Sequence, residues 1–398
     1  MRNTLSSMIP REEAFSIVMG LASLLRTEHI PLEQALGRVL AEDVLSDIDM
    51  PPFDKSAMDG YAIRREDILR ELEITEVIPA GTPPSKRVGP GECAKIMTGA
   101  MIPEGADCVI MREYVELTED GRVRFTGNDT ATNICYKAED TSIGDVVLRR
   151  GERILPQQVA ILASLGCMNP LVARRPRVGI MATGDELVEP RERPGVSQIR
   201  NSNSYQLQAQ AAAAGAIPKY FGIAEDTEAA IDATLKKVMA ESDVVLVSGG
   251  VSVGDYDLVP AILRRNGVEM EFESLAIKPG KPTHFGLADG IYFFGLPGNP
   301  VSTFVIFELL VKPFLLKLMG HDYRPANIVM PLEQDIEKHR TKREAWYPVV
   351  LTSDGCVRPI EYHGSAHARA LPQADGIICV PRGTNKLAKG EMVHVRMI

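Results

Sequence analysis

The stretch "DVVLVSGGVSVGDYD" (residues 243–257) decides how the chain is read. Its first half is an apolar, β-branched run that reads as a buried strand. Its second half holds Ser248, Gly249, Gly250, Ser252 and Gly254, then two acids, Asp255 and Asp257. Glycines let a backbone come close to a ligand. Serine hydroxyls and N–H groups at a helix start suit phosphate oxygens. Two carboxylates suit Mg²⁺, which takes one or two of them beside substrate phosphates. Ligands of open parallel α/β sheets collect at the carboxyl ends of the strands. A strand running straight into such a loop therefore predicts a site.

The same alternation continues on both sides. "RVGIMAT" (177–183), "IPKYFGI" (217–223) and "GIYFFGL" (290–296) read as strands, and 202–216, 226–240, 257–265 and 300–318 as helices. This predicts a mostly parallel sheet with helices on both faces. "MATGDEL" (181–187) ends one strand in Asp185 and Glu186. Adjacent acids there suit a metal or a proton transfer, and a plain surface turn reads the same way. "GLPGNPVSTF" (295–304) makes a rigid turn of Pro297, Gly298, Asn299 and Pro300 before a helix. It would leave the N–H groups of Val301 and Ser302 free for an anion, although Pro at a helix start is often innocent. In "AIKPGKPTHFG" (276–286), Lys278 and Lys281 flank a Pro-Gly turn. Alone they read as solvated lysines; beside the other loops they read as a positive site for an oxyanion.

That positive site matters because the chain carries a net charge of −9. The balance argues against nucleic acid or an anionic membrane as partner, so an anionic ligand must be met locally. The chain has 398 residues, too many for one core, and 45% hydrophobic residues, which is ordinary for a globular protein. Its six cysteines form no C-x-x-C pair and read as reduced thiols. Residues 1–13 show no signal-peptide pattern, and 301–319 is broken by Glu308, Lys312, Pro313 and Lys317, so neither predicts a membrane segment.

Residues 11–45 read as helical, with a second helix expected over 31–44. Residues 46–145 have the Gly- and Pro-punctuated texture of a β-rich lobe. Within them "MPPFDKSAMDGYAI" (50–63) offers Asp54, Ser56 and Asp59, and "KIMTGAMIPEGADCVIMRE" (95–113) sets Thr98 and Gly99 in a turn. Residues 146–170 close with a Pro-led helix, and 326–398 return to short strands. The two histidines of "HGSAH" (363–367) read as surface residues away from the acidic loops.

Six blocks in order, "PPFDKSAMDGYA" (51–62), "KIMTGAMIPEGADCVI" (95–110), "ATGDEL" (182–187), "SGGVSVGDYD" (248–257), "IKPGKPTHFG" (277–286) and "GLPGNPVS" (295–302), resemble the molybdopterin molybdotransferase family, which includes bacterial MoeA and the gephyrin E domain. The resemblance implies a multidomain α/β plus β fold. Its parts would be an elongated linking region (1–45 and 146–170), a β-rich lobe (46–145), a central, mostly parallel α/β molybdopterin-binding domain (171–325) and a C-terminal β barrel (326–398). It implies Mg²⁺-dependent conversion of adenylylated molybdopterin and molybdate to molybdenum cofactor and AMP.

By the same resemblance Asp59, Thr98, Asp140, Glu186, Asp226 and Asp257 would be catalytic. Ser248, Gly249, Gly250, Ser252, Gly254, Lys278, Lys281, Pro297, Gly298 and Pro300 would bind substrate, and Glu186, Asp255 and Asp257 would hold Mg²⁺. A cytoplasmic homodimer is implied, with Asp59 and Thr98 facing the central domain of the other subunit. Transient contacts with molybdopterin adenylyltransferase and molybdoenzyme chaperones are implied as well. "NICYKAED" (133–140) departs from the family: Cys135 and Ala138 stand where Arg and Gly are usual, and Lys137 is the available replacement charge. The adenylyltransferase of the same pathway and a non-catalytic gephyrin-like scaffold are the alternatives. The extra lobe and C-terminal domain argue against the first, the retained acids and lysines against the second. An amidase-linked relative would need a further module that the chain lacks.

Overall fold

The computed structural model describes residues 8–250, 258–338, 340–361 and 364–398. Its centre is a six-stranded sheet. Four parallel strands run in the order β6 (Ile217–Ala224), β5 (Arg177–Thr183), β7 (Val244–Ser248) and β11 (Ile291–Leu296). β10 (His284–Ala288) pairs antiparallel with β11, and β8 (Glu269–Phe272) pairs antiparallel with β10, which completes it.

Alternation within one strand shows why the sheet is covered on both sides. Val244 and Leu246 of β7 belong to one apolar core, and Val245 and Val247 to another. Side chains of a strand alternate between faces, so a strand apolar at every position needs helices on both. The first face is covered by α1 (Arg11–Leu21), α3 (Asn203–Ala213), α6 (Pro300–Ile306) and α7 (Lys312–Leu318). The second is covered by α4 (Glu228–Glu241) and α5 (Val259–Arg265). A π turn, Phe307–Val311, joins α6 to α7.

The helix expected over 31–44 is absent. Only Leu32–Gln34 forms a single turn. Gly37 then has φ +79°, and Val39 and Leu40 make extended bridges to Arg153 and Val172. Leu32, Ala35, Leu40 and Val44 are buried in one small core with Leu162 of α2 (Pro156–Ser164). Tertiary burial of these side chains overrides a modest helical preference.

The lobe is built on a four-stranded sheet in the order β2 (Glu73–Ile78), β3 (Glu92–Ile96), β1 (Gly60–Ile63) and β4 (Cys108–Met111). Cys93 and Cys108 are buried there as free thiols, and burial pushes the Cys93 thiol up to about 12, which keeps it protonated.

The C-terminal sheet follows an open path. Its strands are β9 (Ile277–Lys278), β13 (Glu344–Leu351), β15 (Gly376–Val380), β16 (Met392–Met397) and β12 (Asn327–Pro331), with β14 (Val357–Pro359) on β13. A parallel bridge from Leu332, next after β12, to Val357 links that end of the sheet to β14, and these pairings by themselves do not make the closed barrel that the resemblance implied. The strand β9 comes from the central part of the chain, and it carries Lys278 onto the C-terminal sheet. Among the described residues no helix is long and apolar enough to cross a membrane.

Candidate active site

Three loops leave the carboxyl ends of the parallel strands side by side. The N–H of Gly249 donates to the Leu296 carbonyl at 3.2 Å. Gly249 and Gly250 have φ of +93° and +63°. A Cβ on Gly249 would lie 2.5 Å from the Thr183 carbonyl oxygen, and one on Gly250 would lie 2.6 Å from the Thr183 hydroxyl. Only glycine serves at both positions, and the loop after β7 folds tightly against the end of β5.

Asn203, a residue the sequence did not single out, ties two of the loops together. Its Nδ2 donates to Ser248 Oγ at 2.9 Å and to the Gly298 carbonyl at 2.7 Å. Asn203 and Thr183 are both buried, and the Asn203 Oδ1 and Thr183 Oγ1 lack a hydrogen-bond partner among the described residues. An unpaired buried polar atom costs roughly 1–3 kcal/mol. A polar ligand at this edge, with a small loop shift, would recover part of that.

The acids cluster at the ends of β5 and β6. The N–H of Asp226 donates to Asp185 Oδ1 at 3.0 Å, and the N–H of Asp185 to Asp226 Oδ2 at 3.3 Å. The Glu186 carboxylate folds back over Gly184, where a Cβ would stand 2.5 Å from Oε2. Ser252, Gly254, Asp255 and Asp257 lie outside the described residues. Among the described residues no three His, Cys, Asp or Glu side chains gather as a metal set. Glu186 still supplies the hard carboxylate oxygen that Mg²⁺ prefers.

A cleft of about 660 Å³ opens beside these loops, between the central and C-terminal parts. Lys278, Lys281, Pro297, Gly298 and Ser302 line one wall. Arg343, Trp346, Tyr347 and Ser365 line the other. Register explains the meeting: β9 pairs in parallel with β13, Ile277 opposite Glu344 and Lys278 opposite Ala345. Buried Lys338 fixes the loop before β13, since its ammonium donates to the carbonyls of Pro381 at 2.7 Å and Arg343 at 3.0 Å. Among the described residues neither Lys278 nor Lys281 makes an ion pair, so their charge faces the cleft uncancelled.

One expectation is corrected here. The Val301 N–H does not wait for an anion; it donates to the Ser365 carbonyl at 3.1 Å. Asn299 Nδ2 donates to Ser365 Oγ at 2.9 Å. Ser365, within the "HGSAH" stretch, therefore packs on the 297–302 loop. His363 lies outside the described residues, and Pro300 opens α6 without lining the cleft.

In the lobe, Asp59 and Thr98 do meet. The Thr98 N–H and hydroxyl donate to Asp59 Oδ1 at 2.8 and 2.9 Å. Those two bonds, the backbone one first, hold the Asp59 carboxyl below its ordinary value, and Arg112 adds to the effect. No hydrogen bond or ion pair among the described residues joins Asp59, Thr98 or Asp140 to the central sheet. The departure at 133–140 has a physical consequence. Ala138 takes φ +60°, the left-handed region where glycine is at ease. Lys137 does not stand in for the missing arginine, because its Nζ pairs with Asp49 at 3.1 Å.

Glycine-rich loops at parallel strand ends, beside a cationic cleft, define a multidomain α/β protein with an anion-binding site. Three family models match the chain: the MoeA N-terminal region (domains I and II) over residues 9–166, a probable molybdopterin binding domain over 179–317 and the MoeA C-terminal region (domain IV) over 330–397. The molybdopterin molybdenumtransferase of Bacillus subtilis (strain 168) is 36% identical over 406 residues, covering 98% of this chain and 94% of that one. The Haemophilus influenzae protein of the same name is 35% identical, covering 93% of each. The crystal structure of the molybdopterin biosynthesis moeA protein from Pyrococcus horikoshii OT3 superposes with a TM-score of 0.86 at 33% identity, covering 98% of this chain and 100% of that one. The chain belongs to the MoeA family of molybdopterin molybdenumtransferases.

Proposed function

We propose that this chain is a molybdopterin molybdenumtransferase that inserts molybdate into the dithiolene of adenylylated molybdopterin, giving molybdenum cofactor and AMP. The observation that carries the reading is the cleft itself. Lys278, Lys281 and Arg343 bring three cations, and Ser302 and Ser365 bring hydroxyls, to one cavity in a chain of net charge −9. A tetrahedral dianion needs such a set of charge-assisted donors. The cavity shares Pro297 and Gly298 with the strand-end loops, so a diphosphate on Ser248, Gly249 and Gly250 would lie next to the oxyanion.

In this reading Glu186, with Asp255 and Asp257, would hold Mg²⁺, which supplies charge neutralisation at the phosphoanhydride. Asp226 lies beside Asp185 at the adjoining strand end. Asp59, kept ionised by Thr98, would orient a proton donor or water when a partner subunit brings the lobe across the central domain. Asp140 would join it. The active site would thus be shared within a cytoplasmic homodimer, with molybdopterin adenylyltransferase and molybdoenzyme chaperones as transient partners. Closure of the C-terminal sheet into a barrel would complete the resemblance.

The test supplies adenylylated molybdopterin, molybdate and Mg²⁺ and measures AMP release. Release should require all three, and Glu186→Gln should slow it by about 10²-fold, the usual size of losing one charged group aimed at the reacting centre. Release that needs ATP and yields pyrophosphate would assign the chain to the preceding, adenylylating step.

A further inference from the structure

We infer that Glu344 is a positioning residue for the cleft: its carboxylate holds the Trp346 indole in the cleft wall, and Arg11 of the N-terminal helix holds that carboxylate. The inference rests on the reading of the cleft as an oxyanion site, and adds to it a support that begins some 330 residues away in sequence, a separation of 333 between Arg11 and Glu344.

The geometry is specific. A single oxygen, Glu344 Oε1, accepts from Trp346 Nε1 at 2.8 Å and from Arg11 Nε at 3.0 Å. The guanidinium carbon of Arg11 lies 5.6 Å from the Trp346 ring centroid, within cation–π range. The Glu344 side chain is only 6% exposed. Glu344 and Trp346 are two apart on β13, so they share the face turned to the central core, where Trp346 packs. The Glu344 N–H also donates to the Ala276 carbonyl at 3.0 Å, next to the strand that carries Lys278.

A buried carboxylate is a poor choice for stability alone. Well-packed apolar side chains of the same volume often do as well or better. What the carboxylate adds is direction, because it fixes both the height and the rotation of the indole. It also ties α1, β13 and the approach to Lys278 at one point. A shift of the indole would move Tyr347 and Arg343 relative to Lys278 and Lys281, the two walls between which an oxyanion would sit. Glu344 itself touches no ligand in this scheme. Arg11 sets its positive charge against it, while Glu12 pairs with the same guanidinium from the solvent side.

Trp346 is the single tryptophan of the chain, so its fluorescence reports the position of this ring alone. The experiment compares wild type, Glu344→Ala, Glu344→Gln and Trp346→Phe as full-length proteins. Acrylamide quenching of Trp346 tests the positioning without any substrate. It should rise in Glu344→Ala and stay near wild type in Glu344→Gln, whose amide oxygen still accepts from the indole. The KM for molybdate should rise about tenfold in Glu344→Ala, the equivalent of one charge-assisted hydrogen bond, with kcat within about twofold. Trp346→Phe keeps a ring but loses the N–H. It should show the same KM increase, and it answers the question if Glu344→Ala fails to fold.

Equal quenching in wild type and Glu344→Ala, or a wild-type KM in Trp346→Phe, overturns the inference. A wild type that binds no molybdate, with the quenching difference intact, sinks the oxyanion reading of the cleft and leaves the positioning of Trp346 standing.

Discussion

Asp59 and Glu344 are both carboxylates with a part in the proposed chemistry, and the molecule treats them in opposite ways. Asp59 sits on the solvent side of the lobe, and two donations from Thr98 lower its pKa. Glu344 is buried, and loss of solvent raises its pKa despite Trp346 and Arg11. The difference separates two uses of a charge. The carboxylate proposed to react is left open and kept ionised by hydrogen bonds. A carboxylate meant to hold a wall in place is taken out of water and satisfied by fixed donors.

The comparison fails if the two residues respond alike to substitution. The largest expected effect is on stability: Glu344→Ala should cost about 1–3 kcal/mol in denaturant unfolding, because it leaves the Trp346 N–H and the Arg11 Nε–H without their shared acceptor, Glu12 still pairing with the guanidinium. Asp59→Asn should leave the urea midpoint close to that of wild type, as surface substitutions do. Its turnover should nonetheless fall by about 10²-fold, within the range of general acid–base groups. A large stability loss in Asp59→Asn would merge the two classes.

The pH dependences should differ in sign as well. Glu344 binds its proton more tightly folded than unfolded, so its contribution to stability is complete at low pH. It declines as pH rises through the window above 4.5. Urea midpoints of wild type and Glu344→Gln between pH 4 and pH 8 should therefore diverge in wild type's favour toward the acid end. Asp59 has the reverse sign: its contribution is present at neutral pH and is lost only as pH falls below 3.8. Thr98→Val removes one of its two donors, so the acid limb of the pH–rate profile should move upward.

The smallest effect sharpens the account of the lobe. Ala138→Gly should raise stability by about 1 kcal/mol, since a left-handed residue costs about that much with a Cβ. A destabilised Ala138→Gly would mean that the local backbone is not held where φ +60° places it.

Much of the central domain was legible because its strands are apolar at every position and end in loops with a distinct chemistry. The run 243–248 followed by two glycines announces both a doubly covered strand and a close approach. The stretch 31–44 was not legible, because its spacing suits a helix while its side chains are used by a separate small core. Half of the cleft was missed for a different reason. Arg343, Trp346 and Ser365 reach Lys278 and Pro297 only through the β9–β13 pairing and the Asn299–Ser365 contact, which no local pattern foretells. A signal was present: "RTKREAW" (340–346) sets three cations before the one tryptophan in an acidic chain. Asn203 was hidden in a run that reads as an ordinary helix start.

The most direct test of the central claim is equilibrium dialysis of molybdate against wild type and against the Lys278→Gln, Lys281→Gln double variant at low and moderate salt. Wild type should bind one molybdate per chain, more weakly as salt rises. The double variant should lose at least about 10²-fold in affinity, the worth of two charge-assisted contacts. Unchanged molybdate binding in the double variant would contradict the assignment of the cleft.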